Sequence, residues 1–184
     1  YKRQEQDPLA CLGQPMSMTV DRLRELGVRL TPEESVRRLV ATGQQVVAQE
    51  GIGFLPGIEP LLREVADAGI PAAIVTNATT EIARVTASRA PEGLFRTVIG
   101  DEDVQRPKPD PQPYLLAAER LGVDITRCVV VEDSPSGAAA GVAAGMATVV
   151  VPGEQAVEPG PRIVHVPEHA SLTLDFLRSL APRD

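Results

Sequence analysis

The sequence predicts an α/β fold: a parallel sheet covered on both faces by helices, with a small helical subdomain in front of it. Three observations carry that prediction. Short apolar, β-branched runs at 70–76, 97–99, 129–131 and 147–151 alternate with segments of helical periodicity. Runs that are apolar on both faces are those of buried parallel strands. The first fifty residues, by contrast, hold helical patterns and no such run, so they belong to a layer of their own.

In chain order, residues 15–50 read as helical. Met16, Val20, Leu23 and Leu26 recur at helical spacing until Gly27 ends the first segment. The second segment has an explicit start. Thr31-Pro32-Glu33-Glu34 supplies an N-cap, a proline at the first helical position and a capping-box Glu, after which Val36, Leu39, Val40, Val46 and Val47 continue the apolar face. Gly51 and Gly53 loosen the chain, and Phe54-Leu55-Pro56-Gly57 reads as a junction. The division therefore falls between a helical subdomain, 1–53, and a main domain, 54–184.

The main domain opens with an amphipathic helix over 58–68, closed by Gly69, and an apolar strand over 70–76 that leads into Asn77. A helix over 79–89 and a short strand over 97–99 follow. A charged loop runs through Lys108, and Asp110-Pro111 starts a helix that reaches Leu121. After the valine strand, the small residues of 138–144 form a helix that lets backbone and sheet approach closely. Strands over 147–151 and 163–166 and a last helix over 172–180 complete the pattern.

At 184 residues and 43% hydrophobic, the chain can bury one proper core with a small subdomain attached. Its net charge of −7 argues against nucleic acid and anionic membrane surfaces as partners, because both need a basic face. An anionic substrate needs a local cluster of positive charge instead. Two cysteines, Cys11 and Cys128, make no disulfide framework and fit a reducing cytoplasm; Cys128 heads the valine strand as a small apolar residue. The small apolar stretch 138–151, broken by Gly141 and Gly145, is shorter than the ~18 residues that span a bilayer. The opening Tyr-Lys-Arg-Gln-Glu-Gln-Asp has charge without the apolar core of a secretory signal, and it lacks an initiator Met. A chain that starts part-way through its protein is the expectation.

Chemistry concentrates where the strands stop. Residues 129–137, Val-Val-Val-Glu-Asp-Ser-Pro-Ser-Gly, set two adjacent carboxylates at the carboxyl end of a strand, which is where open α/β sheets bind ligands. Adjacent acids repel unless a cation neutralises them, and hard oxygen donors favour Mg²⁺. A helix N-cap followed by a solvated turn explains the same nine residues equally well. Thr76-Asn77 and Lys108 fall at strand ends or in the loops after them, so a parallel sheet brings them to the edge that carries Glu132 and Asp133. Together they make a phosphate site, with donors for the oxygens and charge for the transition state. Singly, Thr76 reads as a strand-end cap and Lys108 as a loop lysine. His165 and His169 lie four apart, but Pro167 between them and a strand-and-turn context speak against a zinc site.

The succession Ile74-Val75-Thr76-Asn77, then Arg106-Pro107-Lys108-Pro109-Asp110-Pro111, then Val130-Val131-Glu132-Asp133-Ser134-Pro135-Ser136-Gly137 resembles the second, third and fourth motifs of the haloacid dehalogenase-like hydrolases. It is most similar to the helical-capped phosphatases and the β-phosphoglucomutase-like members. The resemblance runs from about residue 12 to residue 180. It implies a Rossmann-like core with a helical cap, of which 1–53 is the larger part. It also implies a phosphomonoester hydrolase in which a magnesium-assisted Asp attacks phosphorus to form an aspartyl-phosphate that water then hydrolyses. Thr76, Asn77 and Lys108 would bind phosphate, and Thr76, Lys108 and Asp133 would be catalytic. Asp133 would ligate Mg²⁺ directly, and Glu132 as a second ligand or through water. The substrate class is a small phosphorylated metabolite, with a sugar phosphate as the default. A phosphosugar mutase of the same fold and a catalytically silent binding or regulatory module are the alternatives.

One departure stands out. The family's first motif, an Asp-x-Asp-x-Thr at the end of an N-terminal strand, is not in these residues. Asp101-Glu102-Asp103 follows an apolar run and fits superficially, but no Thr or Ser follows Asp103 where one is needed, so it reads as a solvated acidic loop. The resemblance places the nucleophile strand between the strand ending at Thr76 and the strand ending at Glu132-Asp133. Without it two buried strand edges lie unpaired. These 184 residues are therefore expected to be inactive by themselves, with the gap filled by a further segment or by a partner chain.

Overall fold

The computed structural model describes residues 16–50 and 53–181. Two helices, α1 (Met16–Glu25) and α2 (Pro32–Glu50), pack against each other as the helical subdomain. The capping box forms: the Glu34 N–H donates to Thr31 Oγ1 at 3.2 Å, and the Thr31 N–H donates to Glu34 Oε2 at 3.0 Å. On the main domain α2 rests against α4 (Thr80–Ala87), where Gln44 Nε2 donates to Glu81 Oε1 at 2.7 Å.

The remaining elements come in the predicted order. They are α3 (Ile58–Asp67), β1 (Ala72–Val75), α4, β2 (Phe95–Ile99), α5 (Gln112–Leu121), β3 (Val129–Glu132), α6 (Pro135–Ala143), β4 (Ala147–Val150), β5 (Ile163–His165) and α7 (Leu174–Leu180). Gly69 closes α3 at φ +66°, a left-handed position that a side chain disfavours. Single 3₁₀ turns at Asp101–Asp103, Ile125–Arg127 and His169–Ser171 go beyond the sequence expectation. They are too short for a periodicity to register.

Every strand pair is parallel, as expected, but the strands form two sheets, β1-β2 and β3-β4-β5, among the described residues. The break falls between β1 and β3. Two apolar clusters hold the layers. Leu61, Val149, Val151 and Leu172 bring α3 and the chain around α7 against one face of the second sheet. Tyr114, Val130, Ala140 and Met146, with Val75 beside them, fasten α5 and α6 across the break. The small-residue helix packs as the sequence implies. A Cβ at Gly141 would stand 2.6 Å from Thr148 Oγ1, so only glycine lets α6 lie this close to β4. Among the described residues no helix is long and apolar enough to cross a membrane.

Candidate active site

β1 ends at Val75, and Thr76 prolongs its pairing by donating its N–H to the Ile99 carbonyl at 2.9 Å. The Thr76 hydroxyl then accepts the Ala78 N–H at 3.0 Å, which turns the chain toward α4. Asn77, buried between them, has a different task from the one its neighbour suggests. Its Oδ1 accepts the Lys108 N–H at 3.2 Å and its Nδ2 donates to the Lys108 carbonyl at 3.3 Å. The carboxamide thus fastens the backbone of Lys108 to the end of β1.

Lys108 is 7% exposed, which a lysine tolerates only when its charge is paired. The ammonium donates to Glu132 Oε1 at 2.6 Å and to the Val75 carbonyl at 3.2 Å, and it lies 5.8 Å from the centroid of the Tyr114 ring. One side chain therefore joins the carboxyl ends of β1 and β3, the two strands that do not pair.

Glu132, 8% exposed, is held on both oxygens. Oε1 accepts from Lys108 and from the Tyr114 hydroxyl, and Oε2 accepts from Ser134 Oγ at 3.2 Å. Burial first, then the Glu132 carboxylate, push the Tyr114 hydroxyl well above the usual phenol range, so it remains a donor. Ser134 also caps α6, accepting the Gly137 N–H at 3.1 Å. Gly137 itself makes room: a Cβ there would lie 2.0 Å from the Glu132 carboxyl carbon. The helix-cap reading of the Glu-Asp-Ser motif is realised through Ser134, and the same segment sets the two carboxylates side by side at the end of β3.

Asp133, the next residue, is exposed, and its carboxylate accepts no hydrogen bond from any described residue. The loop after β4 presses on it, with the Gly153 position so close that a Cβ would meet the Asp133 carbonyl oxygen at 2.3 Å. The pair thus divides into an anchored acid and an open one. As a donor set these are hard carboxylate oxygens, which suit Mg²⁺, but two side chains are short of a complete shell. Among the described residues no cluster of three or more His, Cys, Asp or Glu is assembled.

The acidic triplet is solvent-accessible, with Glu102 exposed and Asp101 and Asp103 half-buried, but it is a 3₁₀ turn whose carboxylates are each engaged. Glu102 Oε1 accepts the Thr80 N–H at 2.8 Å and the Thr80 hydroxyl at 2.6 Å, at the start of α4. Asp103 accepts the Gly100 N–H at 2.9 Å and pairs with Arg120 at 3.0 Å. Asp101 takes a backbone hydrogen bond from Met16 at the start of α1. Unsatisfied N–H groups at helix and turn starts attract these acids.

Sequence reasoning brought Thr76, Lys108, Glu132 and Asp133 to one edge, and the structure sets them there. It did not single out Tyr114, Gly137 or Gly153. Tyr114 carried the one available signal, since a buried phenol needs a partner for its hydroxyl.

Comparison with known proteins gives a consistent result. The family model for haloacid dehalogenase-like hydrolases matches residues 2–151. Hexitol phosphatase A of Escherichia coli (strain K12) is 43% identical over 102 residues, covering 55% of this chain and 47% of that protein. Phosphoglycolate phosphatase of the same strain is 36% identical over 104 residues, covering 56% of this chain and 41% of that protein. The chain spans less than half the length of these two relatives. Among solved structures, a β-phosphoglucomutase from Clostridium difficile superposes with a TM-score of 0.74 at 20% identity, covering 97% of this chain and 82% of that one.

Proposed function

This chain belongs to the haloacid dehalogenase-like hydrolase family, and from that membership we propose that it forms most of the site of a magnesium-dependent phosphomonoester hydrolase. The carrying observation is Lys108, a buried ammonium that joins the end of β1 to the end of β3 beside Thr76 and Asp133. A site of this kind meets the needs of phosphoryl transfer, which are positioning and charge stabilisation more than covalent work by many groups. Lys108 lowers the cost of bringing a phosphate dianion to a carboxylate nucleophile. The Thr76 hydroxyl, which accepts from Ala78, keeps its own proton to donate to a phosphoryl oxygen. Asn77 serves phosphate binding by holding Lys108 in place. Asp133 would hold Mg²⁺ directly, with Glu132 reaching it through water because both its oxygens are engaged. When bound, the ion supplies Lewis-acid polarisation of the phosphoryl group.

The nucleophilic Asp, in this reading, arrives on a further strand between β1 and β3, and its aspartyl-phosphate is hydrolysed by water. The names of the two phosphatase relatives support a small phosphorylated metabolite as substrate. Helices α1 and α2, with α2 seated on α4 through Gln44 and Glu81, act as a cap that excludes water from the reaction. A reducing cytoplasm fits such a role.

The test is hydrolysis of p-nitrophenyl phosphate by the full-length protein. Turnover is expected with Mg²⁺ and not after chelation. Lys108→Ala and Asp133→Ala are each expected to reduce kcat on the order of a thousandfold or more, the scale of losing a transition-state charge partner. Full activity in either variant would contradict the assignment.

A further inference from the structure

We propose that Tyr114 is a positioning residue for Lys108: its hydroxyl, donated to Glu132, fixes the carboxylate that in turn fixes the ammonium. The proposal rests on the role of Lys108 given above and extends it to a residue on a different element. Glu132 Oε1 receives two donors, the Lys108 ammonium and the Tyr114 hydroxyl, while Oε2 receives Ser134 Oγ. A carboxylate held on both oxygens cannot rotate without losing a partner. Gly137 presses on its other side, where any Cβ would collide with the carboxyl group.

The ring contributes as well. With the Lys108 ammonium 5.8 Å from its centroid, it favours positive charge at that spot. Lys108 is thereby located by β1 through the Val75 carbonyl, by β3 through Glu132, and by α5 through Tyr114. Among the described residues β1 and β3 share no backbone hydrogen bonds, and Lys108 is a side chain that reaches the carboxyl ends of both. A purely structural tyrosine would need only its ring, which packs with Val130, Ala140 and Met146. Phenylalanine fills that volume and leaves Oε1 with one donor, so Tyr114→Phe separates the two roles.

In the full-length protein with saturating Mg²⁺, Tyr114→Phe is expected to lower kcat for p-nitrophenyl phosphate about tenfold or more, with KM and the Mg²⁺ dissociation constant within about twofold, the pattern of a misplaced transition-state group. The Mg²⁺ constant is read by calorimetric titration without substrate. Melting temperature is followed in parallel, and kcat is referred to the folded fraction. A second readout needs no turnover. Lys108 is buried and doubly hydrogen-bonded, so its ammonium gives a slowly exchanging signal in a ¹⁵N spectrum of the lysine side chains, assigned by its loss in Lys108→Arg. Tyr114→Phe is expected to shift and broaden that signal. A kcat within about twofold of wild type, or an unchanged Lys108 signal, would overturn the proposal. Should wild-type protein show no Mg²⁺-dependent turnover, the phosphatase reading falls. The ammonium spectrum then decides for Tyr114 alone: a changed signal supports it and an unchanged one overturns it.

Discussion

Gly137 lies on the first turn of α6, where alanine would favour the helix by up to ~1 kcal/mol. The Glu132 carboxyl carbon, 2.0 Å from where a Cβ would stand, reverses that preference. Gly137→Ala is expected to destabilise by about 1–3 kcal/mol, the cost of forcing an atom into a packed region, and to lower activity by displacing Glu132. Gly43 in α2 has nothing within 4 Å of its Cβ position, so Gly43→Ala should stabilise by about 0.5–1 kcal/mol. Urea denaturation of the two variants checks both signs, and two stabilising changes would remove the steric account of Gly137. The same pair shows what the sequence disclosed at this scale. Glu132, Asp133, Lys108 and Thr76 were legible as residue types at strand ends. That Glu132 would be anchored and Asp133 open was not, because the anchoring comes from distant donors, Lys108 and also Tyr114, eighteen positions away on α5.

Helix starts explain the acidic turn at Asp101–Asp103. Partial burial raises the Glu102 carboxyl, but the Thr80 hydroxyl and N–H outweigh it and hold the group below its ordinary value of 4.5. Asp101 is pushed the other way, by burial and then by Glu102. A carboxyl depressed in the folded chain contributes stability that is full above its unfolded value and is lost as pH falls through its folded one. The raised Asp101 gives the opposite sign, opposing the fold increasingly as pH rises through its unfolded value of 3.8. Thermal melts of wild type and Glu102→Gln from neutral to acid pH should therefore differ most at neutral pH and converge below 4.5. A difference that stays constant across that range would show that charge at Glu102 does not cap α4. Elements themselves were largely legible, since apolar runs and explicit caps such as Thr31-Pro32-Glu33-Glu34 mark them locally. The 3₁₀ turn was not, because its reason is the distant starts of α1 and α4.

Across the whole molecule, the parallel order was legible and the break between β1 and β3 followed from the resemblance, while the bridge across it came only from the structure. Ala72 and Thr76 donate toward β2, and Glu132 accepts from Val151 on the β4 side. Backbone groups alternate in direction along a strand, so the amides of Ala73, Val75, Val129 and Val131 face the break. The Val75 carbonyl on that side is the one Lys108 occupies. Hydrogen exchange should find these four amides less protected than those of Ile74 and Val130 in the 184-residue chain, and equally protected in a full-length protein whose further strand fills the break. Equal protection in both forms would mean no strand enters there.

Turnover by the full-length protein with and without Mg²⁺, measured beside Lys108→Ala, tests the role of Lys108 most directly. Metal-dependent release of inorganic phosphate from an aryl phosphate is expected, with its near-complete loss in the variant. Metal-independent hydrolysis, or hydrolysis that survives the loss of the Lys108 ammonium, would contradict the assignment.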